Sequence, residues 1–384
     1  MLRSLYFLHF FALGTFMPYL PIHFRDLGMT NAQIGVLASV LPLFITLAPA
    51  FWTQAADRSG TKKHFVVLAS AGSALAFLFL ARLHPFGLVL LGLSIFCFFR
   101  SPTGSLLESI TFEHLKLRGG DYGRIRMFGS FGFILSVLVI GQLFERWGTP
   151  VLSTSMLLSG LGAAACAALL PASPQLQSSA GGRSLGRLLG NRTYVIYLAT
   201  AFLMRLSHAG YVTFYSIYLD SLGVSRGIIG VAWSLGVICE VAVLMTSGRI
   251  VRRAGVQALI LLAMGAAVLR WFLFATATNP GVLVAAQSLH GLTFGAFHVG
   301  SVTLIQSLVP DELRASGQGL FTASAYGLGG ILGAWMVGAI AAAASIPVVF
   351  GTSVGIVLLA LLVFIITVLP RLKDVALFGA GERV

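Results

Sequence analysis

Charge is scarce in this chain, and negative charge scarcer still: Asp and Glu together number 12 in 384 residues, and charged residues of all kinds make up 10%. A water-soluble domain carries roughly a quarter charged residues, so an ordinary soluble fold is excluded. Cysteine is nearly missing too. Its three copies, Cys97, Cys166 and Cys239, are scattered through apolar sequence, leaving no disulfide framework and no metal-ligand spacing. The chain also lacks a metal-binding His/Glu motif, a nucleophile elbow and a phosphate-cradling glycine loop. An enzyme is therefore not expected, and neither is a metal or a cofactor. Nor is there a polar segment large enough to be an attached signalling domain.

What the chain has in abundance is apolar length. Hydrophobic residues reach 57% and mean hydropathy is +0.92. A span of the ~30 Å hydrocarbon layer needs about 20 residues, and such runs recur twelve times, near 4–24, 31–55, 64–82, 87–112, 122–144, 149–170, 194–219, 226–248, 256–276, 281–308, 317–342 and 346–369. Each must be helical, because an isolated strand in lipid cannot satisfy its own backbone. The first run is too long for a signal-peptide core and reads as a retained helix. The expectation is an all-α integral membrane protein of twelve transmembrane helices.

The net charge of +13 does not point to nucleic acid, because its distribution is topological. With both termini cytoplasmic, most Lys and Arg fall in inner loops, including Arg58, Lys62, Lys63, Arg252 and Arg253. Arg25, Arg82, Arg146 and Arg226 fall outside. That bias orients the chain. A bacterial inner membrane and the lipid bilayer as surroundings are expected.

Residues 171–193 form the one long polar interruption, rich in Pro, Ser, Gly and Arg, and read as a cytoplasmic linker. It divides the chain into an N-terminal six-helix bundle, 1–170, and a C-terminal one, 194–384. The halves also echo each other: Leu27-Gly28 and Gly35 recur at Leu222-Gly223 and Gly230, a constant offset of 195 residues. Parallel repeats of this kind place a solute site between them near the midplane. One chain then holds the whole pathway, and a monomer suffices.

Six charges interrupt the apolar runs: Glu108, Glu240, Arg100, Arg126, Arg205 and Arg270. Each costs at least ~2.5–3.5 kcal/mol at the bilayer centre, and such residues mark solute or proton pathways. Static ion pairs that fix helix packing are the alternative. Four arginines against two acids leave an excess of positive charge that an anionic solute would offset and a neutral sugar would not. Arg126 presents a planar fork suited to a carboxylate. Arg100 precedes Pro102 and Gly104, where freed carbonyls would receive it. Arg205 and His208, three apart, share a helical face. Tyr19 and Trp233 are candidate apolar walls. By distance from the predicted helix ends, Arg270 and His290 lie at similar depth with Glu240 deeper, so the three can form one network. A carboxyl that gains and loses a cationic neighbour as helices move can load and release a proton, which casts Glu240 as proton carrier, Arg270 as counter-charge and His290 as relay.

Asp57-Arg58-Ser59-Gly60-Thr61-Lys62-Lys63 resembles the loop pattern Gly-x-x-x-Asp-Arg-x-Gly-x-basic-basic of the major facilitator superfamily, with Thr53 standing where the pattern opens on Gly. The resemblance implies a gating role for Asp57 and Arg58. Asp121-Tyr122-Gly123-Arg124-Ile125-Arg126 and Pro18-Tyr19-Leu20-Pro21 resemble the lactose permease-like branch. Leu269-Arg270-Trp271 and Leu289-His290-Gly291-Leu292-Thr293-Phe294 look most like its bacterial phenylpropionate permease group. The eighteen residues from Glu108 to Arg126 and the twenty from Arg270 to His290 match that branch's substrate-binding acid–arginine pair and its coupling cluster. Thr293 departs from it, standing where the lactose permease carries its protonated Glu. Taken together, the resemblance implies a proton-coupled symporter of a small organic anion, an aromatic or other small carboxylate, working by alternating access. A proton-coupled sugar or nucleoside symporter, or an exporter of the same fold, remains the alternative.

Overall fold

The computed structural model describes residues 1–59, 61–170 and 185–372, without the side chains of Ala50, Thr53, Asp57 and Leu185. Eleven helical stretches among them are long and apolar enough to cross a membrane. The stretch Arg226–Thr276 runs 51 residues, about 76 Å at the helical rise and more than two bilayer crossings. It is broken at Gly255, whose φ of +82° lies in the left-handed region; there an L side chain would be strained. Counting its two arms gives twelve spans. They are α1 Leu2–Asp26, α2 Asn31–Ser59, α3 Lys62–Leu80, α4 Phe86–Arg118, α5 Tyr122–Trp147, α6 Pro150–Ala168, α7 Arg192–Ser221, α8 226–254, α9 256–276, α10 Pro280–Leu308, α11 Asp311–Ala343 and α12 Ile346–Leu372. A short helix, Leu185–Gly190, precedes α7.

Helix ends are set by local chemistry. Asp121 caps α5, its carboxylate accepting from the N–H groups of Gly123 at 2.7 Å and Arg124 at 3.4 Å; Asn191 caps α7 by accepting from Tyr194 N–H at 3.1 Å. Both satisfy amides that no helical carbonyl can reach. The internal echo is realised in the backbone. At the end of α1, Gly28 has φ +79°, its N–H donates to Arg25 O, and Met29 N–H donates back to Phe24 O. At the end of α7, Gly223 has φ +77°, with Gly223 N–H to Asp220 O and Val224 N–H to Leu219 O. These are the same glycine-terminated cap, 195 residues apart.

By packing, Met1–Ser178 with Val212–Ser234 form one compact unit, and Ser179–Tyr211 with Leu235–Val384 a second. The linker expected at 171–193 lies outside the described residues as far as 184. In the first unit, α1 crosses α5 closely. A Cβ on Gly14 would meet Phe133 O at 2.9 Å, one on Gly132 would strike the Phe7 carbonyl, and Thr15 and Ser136 share a 3.0 Å hydrogen bond. In lipid, where apolar burial offers little drive for association, such small-residue contacts hold helices together. In the second unit, Gly333 meets Ala209, and Tyr194 and Tyr197 donate to Gly317 O and Ser301 Oγ at 2.8 and 2.6 Å. Large apolar side chains such as Phe79, Leu158, Met245 and Ile366 stand more than half exposed, the pattern of a surface solvated by lipid.

Candidate functional site

Arg270, on α9, is the one fully enclosed charge among the described residues, at 0% exposure. Three partners for its guanidinium come from α10. Nη1 donates to Thr293 Oγ1 at 2.9 Å and to His290 Nδ1 at 3.2 Å, and Nη2 donates to Gln287 Oε1. The rings of Tyr211, Trp271 and Phe274 lie 4.2, 4.9 and 5.5 Å from Cζ, within range of cation–π attraction. Here α10 changes pitch, from a 3₁₀ turn at Ala286–Leu289 to a π-helical segment at Gly291–Ala296. The tight turn brings Gln287 and His290, three apart, onto one line.

A guanidinium only donates, so His290 Nδ1 must accept, and the proton of the neutral imidazole sits on Nε2. That nitrogen faces Glu240 Oε2 at 3.6 Å. Small residues set the approach. A Cβ on Gly291 would press on the backbone of Cys239 and Glu240, and one on Gly236 would meet His290 Cβ at 3.3 Å. Arg270, His290 and Glu240 thus form one continuous chain, with Glu240 the more accessible end, its side chain 21% exposed against 12% for His290.

Arg205 and His208 lie on α7 of the same unit and line one cavity with Thr293, Phe294, Phe321 and Tyr326. The Arg205 guanidinium rests 5.0 Å from the Tyr326 ring, and the Tyr326 hydroxyl is 3.3 Å from His298 Nδ1. Two stretches of the wall, Gly291–Ala296 and Thr322–Leu328, are π-helical, a departure that recurs at functional sites.

In the first unit, the half-buried Arg126 guanidinium lies 4.0 Å from the Phe10 ring centroid, and the exposed Glu108 accepts from the Tyr122 hydroxyl at 3.4 Å. No ion pair within 4.0 Å joins Glu108 to Arg126 or to another described cation, so a static pair between them is not what holds these charges. Arg100, 7% exposed, donates to His9 Nδ1 at 2.8 Å, His9 O at 2.9 Å and Thr103 Oγ1 at 3.0 Å. Its acceptors are thus a side chain and a carbonyl of α1 and its own neighbour, not carbonyls freed by Pro102; the fork reaches across the helix interface instead of folding back. Tyr19, wholly buried, donates from its hydroxyl to Val137 O at 2.5 Å, and Trp233 donates to Ser216 Oγ at 2.9 Å. Both polar tips are committed within the fold in this conformation. The Asp57 side chain lies outside the described residues; Arg58 is exposed.

Sequence reasoning missed several partners. Gln287 and Thr293 carry no charge, and His9 and Tyr326 are far in sequence from the arginines they meet. A loop-end cluster was also missed: Arg25 pairs with Asp220, Arg226 with Asp26 at 2.7 Å and Asp220 at 3.6 Å, and Arg226 N–H donates to Glu145 Oε2 at 2.6 Å. Its one legible signal was the clustering of Arg25, Asp26, Asp220 and Arg226 beside the two matched glycine caps.

Comparison with known proteins gives a consistent result. A family model described as the MFS_1 like family matches residues 1–352. The chain is 26% identical over 360 residues to a maltose permease of Geobacillus stearothermophilus, covering 91% of each chain. It is 28% identical over 317 residues to a probable 3-phenylpropionic acid transporter of Escherichia coli (strain K12), covering 80% of this chain and 82% of that one. Among solved structures, the nucleoside transporter NupG superposes with a TM-score of 0.87 at 22% identity, covering 95% of this chain and 98% of NupG.

Proposed function

This chain belongs to the MFS_1 like family of the major facilitator superfamily, and from that premise we propose that it is a proton-coupled symporter of a small organic anion. It is a multi-pass membrane transporter, not an enzyme. The proton gradient alone drives it, no cofactor is required, and a monomer in the bacterial inner membrane, both termini cytoplasmic, performs the cycle by alternating access of an N-terminal and a C-terminal bundle.

The observation that carries the coupling is the Arg270–His290–Glu240 chain. A proton arriving at Glu240 removes the negative charge that faces His290 Nε2–H, and the imidazole turns in response. Arg270 holds Nδ1 and so transmits that change to Gln287 and Thr293. No partner in this network needs to leave the helices that carry it. Thr293 accepts from Arg270 where an acid would neutralise it, which leaves Glu240 as the ionisable group of the chain.

Charge selects the solute. Arg100, Arg205 and Arg270 are held by neutral acceptors and rings, and Arg126 and Glu108 are not paired to each other. Each unit thus carries buried or half-buried positive charge that no acid within it cancels, which favours an anion. Arg126 and Glu108 are assigned to the first-half side of the substrate site and Arg205 to the second, with Arg100, Tyr19 and Trp233 shaping its walls, and Asp57 and Arg58 acting in the gating loop. The relative described as a probable 3-phenylpropionic acid transporter supports a carboxylate; the maltose permease supports a neutral sugar as the second reading. Purified protein is screened by thermal shift against carboxylates, sugars and nucleosides. Stabilisation by carboxylates is the expected outcome, and stabilisation by sugars alone overturns the anion assignment.

A further inference from the structure

His208 is a buried acceptor with nothing to accept. It sits where α7 breaks between Arg192–Ser207 and Ala209–Ser221 and is 3% exposed. Its Nδ1 lies 2.8 Å from Met204 O. A carbonyl cannot donate, so Nδ1 carries the proton and Nε2 is left with a lone pair. Among the described residues, that Nε2 has no hydrogen-bond partner. An orphaned buried acceptor costs about 1–3 kcal/mol, so a native structure that keeps one invites a donor from outside the chain.

The setting says which donor. His208 and Arg205 line one small cavity, with about 20 Å³ of open core, too small to take in an aromatic ring. Arg205 can only donate, and among the described residues no carboxylate lies within 4.0 Å of it; its neighbour is the Tyr326 ring. One helix turn therefore offers a cationic donor and, three residues on, a neutral acceptor. A bare carboxylate would satisfy Arg205 and leave His208 orphaned. A carboxylate with a hydroxyl on the adjacent carbon satisfies both: its oxygens accept from Arg205 and its O–H donates to His208 Nε2. Phe294, Phe297 and Phe321 line the same cavity and offer apolar contact to the carbon frame of the ligand.

We propose that the Arg205–His208 cavity is a head-group subsite for a 2-hydroxycarboxylate, and that His208 is the residue that selects the hydroxyl. This rests on the organic-anion reading above and sharpens it. His208 also packs edge-on against Trp271 at 4.9 Å, which itself donates to Ser207 Oγ at 3.3 Å. Occupation of Nε2 thus fixes the ring against the residue next to Arg270, so the head group is read beside the coupling chain.

Two matched pairs of probes test it: mandelate against phenylacetate, and 3-phenyllactate against 3-phenylpropionate, titrated into the purified full-length protein by calorimetry. The wild type is expected to bind each hydroxy acid at least about tenfold tighter than its parent, the worth of one net hydrogen bond to a buried group. His208→Phe, which keeps a ring against Trp271 and removes the acceptor, is expected to collapse that ratio to about unity. Arg205→Gln is expected to weaken both members of a pair together. Equal wild-type affinities within both pairs, or a ratio that survives in a folded His208→Phe, overturns the subsite. If His208→Phe fails to fold, His208→Leu, which also removes the acceptor, serves in its place, and equal wild-type affinities overturn the subsite by themselves. Absence of binding by all four acids, with sugars binding, overturns the anion reading and the subsite with it, and is told apart from equal affinities within a pair.

Discussion

The loop-end cluster and the interior arginines solve the same electrostatic problem in opposite ways. Arg25 and Arg226 meet the carboxylates of Asp26 and Asp220, and Glu145 caps the first amide of α8; the Arg25, Asp220 and Arg226 side chains are 18–29% exposed. Arg100, Arg205 and Arg270 are held by imidazole, amide, hydroxyl and ring instead. Where water reaches, a pair of opposite charges is cheap to assemble and modest in worth. Deep in the protein a full ion pair is costly to desolvate, and neutral acceptors hold a guanidinium without cancelling its charge. The difference teaches what each region is for. The loop-end cluster joins helix ends, and the interior arginines keep their positive charge uncancelled.

The comparison can be broken at several points. Its most drastic test is Glu240→Gln, which removes the acid of the interior chain. Accumulation of solute driven by a proton gradient in proteoliposomes is expected to fall to the no-gradient level while counterflow exchange continues. Full uphill uptake by this variant would end the coupling assignment. Next in size is Arg270→Met, which strips the donor from His290, Gln287 and Thr293. Each buried acceptor so orphaned costs about 1–3 kcal/mol, and the melting temperature in detergent is expected to fall by several degrees; an unchanged melt would mean the interior network is idle. Arg126→Gln asks whether the uncompensated charge receives substrate. Affinity for an anionic solute is expected to drop by about 1.5–3 kcal/mol, the range for hydrogen bonds to charged groups, with stability nearly unchanged; calorimetry reads the first and thermal unfolding the second. Asp220→Asn has the smallest effect. It weakens pairs worth about 1 kcal/mol or less each, and the loss is expected to shrink in high salt because exposed charges are screened. An Asp220→Asn penalty as large as that of Arg270→Met, and insensitive to salt, would erase the distinction between the regions.

Much of the fold was legible in the sequence because its signal is local. Runs of about 20 apolar residues become spans wherever they occur, and the break at Gly255, hidden inside 51 helical residues, fell in the polar gap already read between 248 and 256. The Leu-Gly echo at 28 and 223 turned out to be two copies of one backbone cap. At the site, the nearness of Glu240, Arg270 and His290 followed from depth along helices, which is a property of length alone. The order of the chain did not. Depth could not say that His290 stands between, or that its Nε2–H faces the acid, since rotation about a helix axis decides that and apolar faces leave rotation unmarked. For the same reason Glu108 and Arg126 could not be judged paired or unpaired, and the hydroxyls of Tyr19 and Trp233's indole were not seen to be committed to Val137 and Ser216.

Composition and periodicity by themselves decided that this chain crosses a membrane twelve times as helices, because lipid leaves a backbone no other way to bond itself. They also decided which ionisable groups would be stranded there. Only tertiary structure decided their company: glycines at 236 and 291 let α8 and α10 close until His290 bridges Arg270 and Glu240, and the break in α7 leaves the His208 Nε2 unanswered. Such pairings depend on how helices are rotated and how near they come, quantities that side-chain volume at the crossing sets and that no single segment contains.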